Sequence, residues 1–161
     1  MVVTSFTEEF KTPIPPARLF KALFLDSNLL LPRIRPQTFK SVEVIQGNGD
    51  VGTVTQINIT EPDGSTTYVK RRIDALDRAN YACTYTMFEG NSMGQTIGSV
   101  VYDIKIVLSG DGGSIVRIHS VYHNKGGVEI KEEEIRAAKD KAMETFRATE
   151  AYLIHSPDAC T

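Results

Sequence analysis

The chain has 161 residues, of which 41% are hydrophobic and 24% are charged, and these are ordinary values for a globular protein. Its 18 Lys and Arg stand against 20 Asp and Glu, which gives a net charge of −2. The length is that of one domain with its own core, and we take residues 1–161 as a single domain. The near-neutral balance provides no strong field for a polyanion, so no obligate nucleic-acid partner is expected.

Cysteine use and the apolar runs bear on the compartment. Cys83 and Cys160 are the two cysteines and lie far apart in sequence, which argues against a disulfide framework and fits a reducing compartment. The first residues lack the basic and apolar regions of a secretory signal. The longest apolar runs are far shorter than the ~20 residues of a membrane span. We therefore expect a cytoplasmic protein with no membrane span.

The first quarter of the chain predicts one strand and two short helices. Residues 2–11 alternate as a half-buried strand does. After a proline-rich stop, a helix is expected over 17–25, since proline is tolerated in a first helical turn. Cap-type residues then precede a second short helix over 29–31, which Pro32 ends or bends. Two short helices joined so tightly form a V.

From residue 38 onward the hydrophobic period changes to two, with turns rich in Gly, Asn and Asp between the runs. The first of six expected strands runs from 38 to the turn at 47. The others span residues 53–59, 67–73, 81–88, 100–107 and 114–123. Their short connections imply an antiparallel meander, and the N-terminal strand makes seven.

The last part of the chain predicts one long helix. Three acidic residues at 132–134 favour a helix N-terminus, apolar residues recur at helical spacing as far as Leu153, and Pro157 follows the end. A helix of about 22–24 residues is ~35 Å long and crosses a small domain. The expected fold class is α+β: a seven-stranded antiparallel sheet wraps around the long C-terminal helix, and the V supports the far end of that helix.

The interior pattern has two interpretations. Cys83 and Tyr85 on one strand and Tyr102 on the next face one side of the sheet, together with apolar neighbours. The helix presents Ala138 and Ala142 where a packed core would favour larger residues. Either these small residues leave a cavity for a small molecule, or the tyrosines complete an ordinary filled core in a protein with a structural or interaction role.

Several segments carry a resemblance to a known family. Residues 14–23, IPPARLFKAL, resemble the first helix of the plant pathogenesis-related class-ten family, whose best-known member is the major birch pollen allergen. The glycine loop at 47–53, GNGDVGT, resembles the signature loop of that family. Matches at 111–115, 122–126 and 150–153 follow in the same order, so the resemblance covers essentially the whole chain.

The resemblance implies a helix-grip fold around a ligand cavity in a cytosolic plant protein of defence or stress. Members bind amphipathic small molecules such as flavonoids, cytokinins, brassinosteroid-like sterols and fatty acids, so a carrier or storage role without a cofactor is expected, in a monomer. Cys83 stands where many relatives carry an aromatic residue, which is expected to enlarge or reshape the cavity. By position, the implied pocket residues are Leu23, Leu31, Ile57, Tyr68, Cys83, Tyr85, Tyr102, Ala138, Ala142 and Phe146.

The glycine loop has two interpretations, as a phosphate-binding element and as a structural turn. Gly47, Asn48, Gly49 and Gly52 could surround an anion, but the loop lacks a Gly-Lys-Ser/Thr ending and leads into a strand rather than a helix. We interpret it as a hairpin turn whose glycines adopt positive φ.

Two enzymatic alternatives remain open. Ribonuclease activity is reported in the family, and Glu150 and Tyr152 match two of the implicated positions, whereas Thr55 replaces a usual lysine and Gly98 a usual glutamate. Such cleavage needs positioned acids, bases and charges, so these losses weaken that alternative.

The second alternative is a pocket enzyme of specialised metabolism, like a relative that condenses amines with aldehydes. Tyr85, Tyr102 and Lys141 are the candidate residues, although Lys139 and Lys141 are expected on the solvated side of the helix. No metal is expected: His119 and His123 lie about 13 Å apart along a strand, whereas zinc needs each nitrogen at ~2.1 Å.

Overall fold

One antiparallel sheet forms most of the molecule. The computed structural model describes residues 3–161, so Val2, which the sequence places in the first strand, lies outside the described residues. The seven strands are β1 (Val3–Thr12), β2 (Phe39–Gln46), β3 (Val54–Thr60), β4 (Thr66–Asp77), β5 (Ala82–Glu89), β6 (Ile97–Leu108) and β7 (Ser114–Asn124). Their order in the sheet is β1-β7-β6-β5-β4-β3-β2. The predicted antiparallel meander with the N-terminal strand as a seventh is confirmed, and the structure places that strand at one edge.

Breaks in strand register bend this sheet. Between β4 and β5 the pairing shifts at Lys70/Arg71 and again at Ile73/Ala75, and β2–β3 and β6–β7 contain further shifts. Such bulges place an extra residue on one strand, which increases the local twist and bends the strand. The sheet consequently has a concave face, and the long helix lies across it.

Within the described residues, three α-helices complete the fold. They are α1 (Pro16–Phe20), α2 (Ser27–Ile34) and α3 (Glu132–His155), with a π-helical turn over Lys21–Leu25 and a 3-10 turn over Asn91–Met93. The 24 residues of α3 match the predicted length and give a rod about 36 Å long. Among residues 3–161, none of the helices is both long and apolar enough to cross a membrane.

The two short helices differ from the sequence prediction in detail. The helix expected over 17–25 changes to π geometry after Phe20, and the Asp26 amide donates to the Lys21 carbonyl at 2.8 Å. Pro32 does not end α2, because proline removes only one donor and Arg35 beyond it still donates to the Leu31 carbonyl at 3.1 Å.

Arg18 on α1 holds the C-terminal end of α3. Its Nε donates to the Ala159 carbonyl at 2.8 Å, and its Nη2 donates to the carbonyls of Leu153 and Ser156 at 2.6 and 2.5 Å. The last carbonyls of a helix have no partner within the helix and carry partial negative charge. One guanidinium therefore caps α3 and joins it to the V.

Thr96 holds the N-terminal end of α3. Its amide and its Oγ1 donate to Glu134 Oε1 at 2.9 and 2.7 Å, and the Lys131 amide donates to Thr96 Oγ1 at 3.0 Å. Gly94 makes this approach possible, since its φ is +96° and a Cβ there would lie 2.5 Å from Glu134 Oε1. Both ends of α3 are thus fixed by hydrogen bonds.

Replacing Arg18 with methionine (R18M) is expected to lower the free energy of unfolding by about 2–3 kcal/mol, because three carbonyl groups lose a charged donor. That corresponds to a fall of about 4–12 °C in Tm for a domain of this length. Thermal unfolding followed by circular dichroism measures the change. R33M makes the same replacement at an exposed arginine of α2, and equal Tm values for R18M and R33M would contradict the anchoring role.

Candidate functional site

A cavity of about 640 Å³ lies between the concave face of the sheet and α3. Its volume falls within the range of small-molecule sites. The buried apolar residues form two clusters, and both contribute to its walls. The whole smaller cluster, Leu31, Phe39, Ile57 and Val69, lines the cavity. The two buried clusters therefore border a cavity and do not merge into one packed core.

Most of the residues implied as pocket residues surround this space. Ala138, Ala142 and Phe146 contribute from α3, and Tyr85 and Tyr102 from β5 and β6. The full set of implied residues in the lining is Leu23, Leu31, Ile57, Tyr85, Tyr102, Ala138, Ala142 and Phe146. Small residues on the helix and tyrosines on the sheet thus enclose empty volume.

Tyr68 was implied as a pocket residue, and the structure places it elsewhere. Side chains alternate along a strand, so Val69 and Arg71 of β4 face the cavity while Tyr68 faces the opposite side of the sheet. Its hydroxyl donates to Glu89 Oε2 at 3.3 Å. The resemblance thus pointed to the neighbour of the cavity residue Val69, and a shift of one residue along a strand places the side chain on the other face of the sheet.

Cys83 was also implied, and it lies in packed core rather than in the cavity wall. It is 2% exposed and belongs to the cluster that contains Leu19 and Phe20 of α1. The Phe20 ring of α1 lies 5.8 Å from the ring of Tyr81 at this end of β5, and Cys83 is not among the residues that line the cavity. Burial raises the pKa of the Cys83 thiol to about 11, which keeps the thiol protonated.

Two tyrosines stack along the cavity wall. The ring centroids of Tyr85 and Tyr102 are 5.1 Å apart, with an interplanar angle of 29°. Burial raises the pKa of Tyr85 to about 12 and raises that of Tyr102 well above its usual value. Both phenols are therefore neutral near pH 7, and the Tyr102 hydroxyl already has the Tyr122 hydroxyl as a hydrogen-bond partner.

Arg71 is a cavity residue that the sequence analysis missed. Its Nη2 donates to Ser27 Oγ at 3.1 Å, and its guanidinium carbon lies 5.4 Å from the centroid of the Tyr85 ring. Its Nε is buried and, among the described residues, has no hydrogen-bond partner. The signal was present in the sequence, since Arg71 shares its parity with the apolar Val69 and Ile73.

Further lining residues come from elements whose geometry the sequence pattern does not specify. Three methionines, Met87, Met93 and Met143, line the cavity and provide adaptable apolar surface. The π-helical turn adds Ala22 and Phe24 on either side of the implied residue Leu23. A regular α-helix was predicted there, and nothing in its pattern indicates the wider turn.

Ion pairs surround the cavity. Lys139 of α3 pairs with Glu8 of β1 at 3.5 Å, and its Nζ lies 3.4 Å from the centroid of the Phe6 ring. Lys141 pairs with Glu61 at 3.8 Å. The prediction that Lys139 lies on the solvated side of α3 is wrong, because its side chain is 28% exposed and crosses to β1. Arg35 of α2 and Glu144 of α3 form a further pair at 3.6 Å.

The glycine loop uses its own amide groups. Gly47, Gly49 and Gly52 have φ values of +96°, +100° and +92°. A Cβ at Gly47 would lie 2.7 Å from Thr53. Amides of the loop donate within the protein: Gly49 to Thr53 Oγ1 at 2.9 Å, Asp50 to Asn48 Oδ1 at 3.2 Å and Gly52 to the Ile73 carbonyl at 2.8 Å. This arrangement is that of a structural turn.

The residues of the ribonuclease alternative lie outside the cavity. Glu150 accepts two hydrogen bonds from Arg147 Nη1, at 3.0 and 3.1 Å. Tyr152 is half-buried and packs against the larger core cluster. The ion pair with Arg147 accounts for the Glu150 side chain, and core packing accounts for Tyr152.

The histidine pair of β7 has other neighbours. His119 Nδ1 shares a hydrogen bond of 2.9 Å with Thr7 Oγ1 on β1. Within the described part of the chain, no group of three or more His, Cys, Asp or Glu residues is placed to hold a metal ion.

Comparisons with known proteins agree with this geometry. Residues 1–156 match the model of the family described as "Pathogenesis-related protein Bet v 1 family". Major allergen Pru ar 1 of Prunus armeniaca is 45% identical over 159 residues, which is 99% of each chain. Major allergen Mal d 1 of Malus domestica is 46% identical over 159 residues, again 99% of each chain.

Solved structures show the same architecture. The crystal structure of Ara h 8.0201 superposes with a TM-score of 0.89 at 36% identity, and the match covers 96% of this chain and 99% of that one. The seven-stranded sheet, the V and the long helix are therefore those of the helix-grip fold. The resemblance carried by the first-helix and glycine-loop segments is confirmed, and the chain belongs to the pathogenesis-related Bet v 1 family.

Proposed function

We propose that the protein binds hydrophobic or amphipathic small molecules in the cavity under α3, as a carrier or store in plant defence or stress. The observation that carries the proposal is the 640 Å³ space bounded by leucine, isoleucine, valine and methionine side chains. Interiors are otherwise packed to crystal density, so a cavity of this size offers a ligand many dispersion contacts with its walls.

Apolar burial would supply most of the affinity. Each Å² of apolar surface removed from water contributes ~25 cal/mol, before the cost of association is subtracted. The neutral phenol of Tyr85 would donate a hydrogen bond to a polar group of the ligand, and the Tyr102 ring stacked on it would extend the aromatic wall. Because the methionine side chains adapt in shape, the site would accept several related molecules rather than one.

Flavonoids, cytokinins and other hormones, sterols and fatty acids are the ligand classes that we propose. Each combines an apolar body with a few polar groups, as this cavity combines apolar walls with a few polar side chains. The two cysteines are free thiols, which supports a cytosolic location because thiols persist in reducing compartments.

A thermal-shift panel of these classes tests the proposal. A ligand at 100 times its Kd is expected to stabilise the native state by ~2.7 kcal/mol, which raises Tm by about 6–10 °C in a domain of this length. A panel in which all classes leave Tm unchanged would contradict the proposal and favour a structural or interaction role.

Filling the cavity from α3 is expected to abolish binding. A142F places a large side chain in the space that Ala142 leaves open, so the affinity for a panel ligand should fall by at least about tenfold. The matched control is A151F, which puts the same residue at an exposed position of α3 outside the cavity. Displacement of the neutral dye phenylnaphthylamine measures the affinities, and equal affinities for the two variants would contradict a site under α3.

The buried Tyr85 phenol predicts a fall in stability at alkaline pH. Its pKa is about 12 in the folded protein, against an ordinary value of 10.0, because burial disfavours the phenolate. Between these values the unfolded state releases a proton that the folded state retains, so the free energy of unfolding decreases as pH rises. Urea unfolding from pH 9 to pH 12 should show a smaller decrease in Y85F than in the wild type. Equal decreases would contradict the buried phenol.

A further inference from the structure

We propose that Arg71 makes the cavity selective for ligands that carry an anionic group, a carboxylate or sulfonate, on an apolar or aromatic body. The inference rests on the proposed function, since it assigns the ligand chemistry of the same cavity. It adds a chemical requirement that apolar walls alone do not impose.

The cavity wall carries more basic than acidic side chains. The lining contains four basic residues and three acidic ones. The three acidic residues are each within 4.0 Å of a basic partner, in the pairs Lys139–Glu8, Lys141–Glu61 and Arg35–Glu144. Among the described residues, Arg71 has no carboxylate at that distance. The cavity wall therefore has one positive charge in excess, although the whole chain has a net charge of −2.

The nearest acidic residue along the strand is already engaged. Asp74 accepts a hydrogen bond from Arg72 Nε at 2.7 Å through Oδ1 and one from Thr86 Oγ1 through Oδ2. Arg72, the adjacent residue of β4, is thus neutralised outside the cavity, whereas Arg71 faces inward. Because side chains alternate along the strand, Arg72 pairs with a carboxylate on one face of the sheet and Arg71 lies in the cavity wall on the other.

The hydrogen-bond donors of Arg71 are only partly matched by acceptors. Ser27 accepts from Nη2 at 3.1 Å, while Nε is buried and has no partner among the described residues. The face of the Tyr85 ring attracts the guanidinium but accepts no conventional hydrogen bond. A buried donor without an acceptor costs free energy, and more when it is charged. Because Arg71 lines the cavity, an anionic ligand group beside the guanidinium would lower that cost through its charge.

An anionic acceptor satisfies these groups better than a neutral one. Carboxylates and sulfonates offer two oxygens to the planar fork of arginine, and their negative charge adds a Coulomb attraction that a neutral acceptor lacks. The low polarity of the surroundings strengthens such a pair further. Burial keeps the pKa of Tyr85 near 12, so the tyrosine beside Arg71 supplies no competing negative charge. The Tyr85–Tyr102 stack next to the guanidinium favours an aromatic body.

A matched pair of dyes tests this assignment. Anilinonaphthalene sulfonate (ANS) and phenylnaphthylamine share their ring system and differ in the sulfonate. R71Q is expected to weaken ANS binding by about tenfold and to change phenylnaphthylamine binding by less than about twofold. R71K, which keeps the charge but not the fork, should lie between R71Q and the wild type for ANS. R72Q is the matched control and should bind both dyes like the wild type.

A measurement on the wild type keeps the test independent of variant folding. Naphthaleneacetate should displace phenylnaphthylamine with an affinity about tenfold higher than that of naphthaleneethanol, which replaces the carboxylate with a hydroxyl. Equal affinities for the acid and the alcohol, or equal effects of R71Q on both dyes, would overturn the Arg71 assignment and leave the binding function standing. Absence of phenylnaphthylamine binding to the wild type would overturn the binding function and the assignment together.

Discussion

The structure depends on how α3 is held at its two ends. Arg18 fixes the C-terminal carbonyls, and Glu134 is fixed by Thr96 near the N-terminus. Between these points the helix presents Ala138 and Ala142 to the sheet. A helix fixed only along its middle would settle onto the sheet and fill the interior. A stiff helix anchored at its ends can instead span a cavity, at the cost of the packing that the cavity lacks.

Polar groups are distributed in keeping with that arrangement. The ion pairs Lys139–Glu8 and Lys141–Glu61 connect α3 to the sheet side at the edge of the cavity, where the charged side chains are partly exposed. Such pairs contribute little to stability individually. Arg71 lies further along the wall, against the Tyr85 ring, and retains an unmatched donor. The charges at the edge of the cavity are paired, and the excess positive charge is that of Arg71 in the cavity wall.

Sequence periodicity was sufficient for the elements and their order. Alternation defined the strands, helical spacing gave α3 to within two residues, and short turns required a meander. The resemblance gave most of the cavity residues. Tyr68 is an exception because it lies next to the cavity residue Val69 on β4 and so faces the other side of the sheet. Cys83 is the other exception because it lies in packed core with residues of α1. The two anchors of α3 depend on contacts between distant segments, which no local pattern reveals. The π-helical turn was also not indicated by the pattern of the predicted helix. Arg71 shows a different difficulty: its parity was correct for the interior, and its charge argued against it.

The central claim is that the space under α3 is a binding site, and methyl NMR of the isotopically labelled protein tests it most directly. Saturation with a ligand that raises Tm should shift the methyl resonances of Leu31, Ile57 and Ala142, which line the cavity. The exposed methyl groups of Val51 and Leu108 should remain unchanged. Shifts confined to such surface positions, with the lining methyl groups unaffected, would contradict the account and place binding elsewhere.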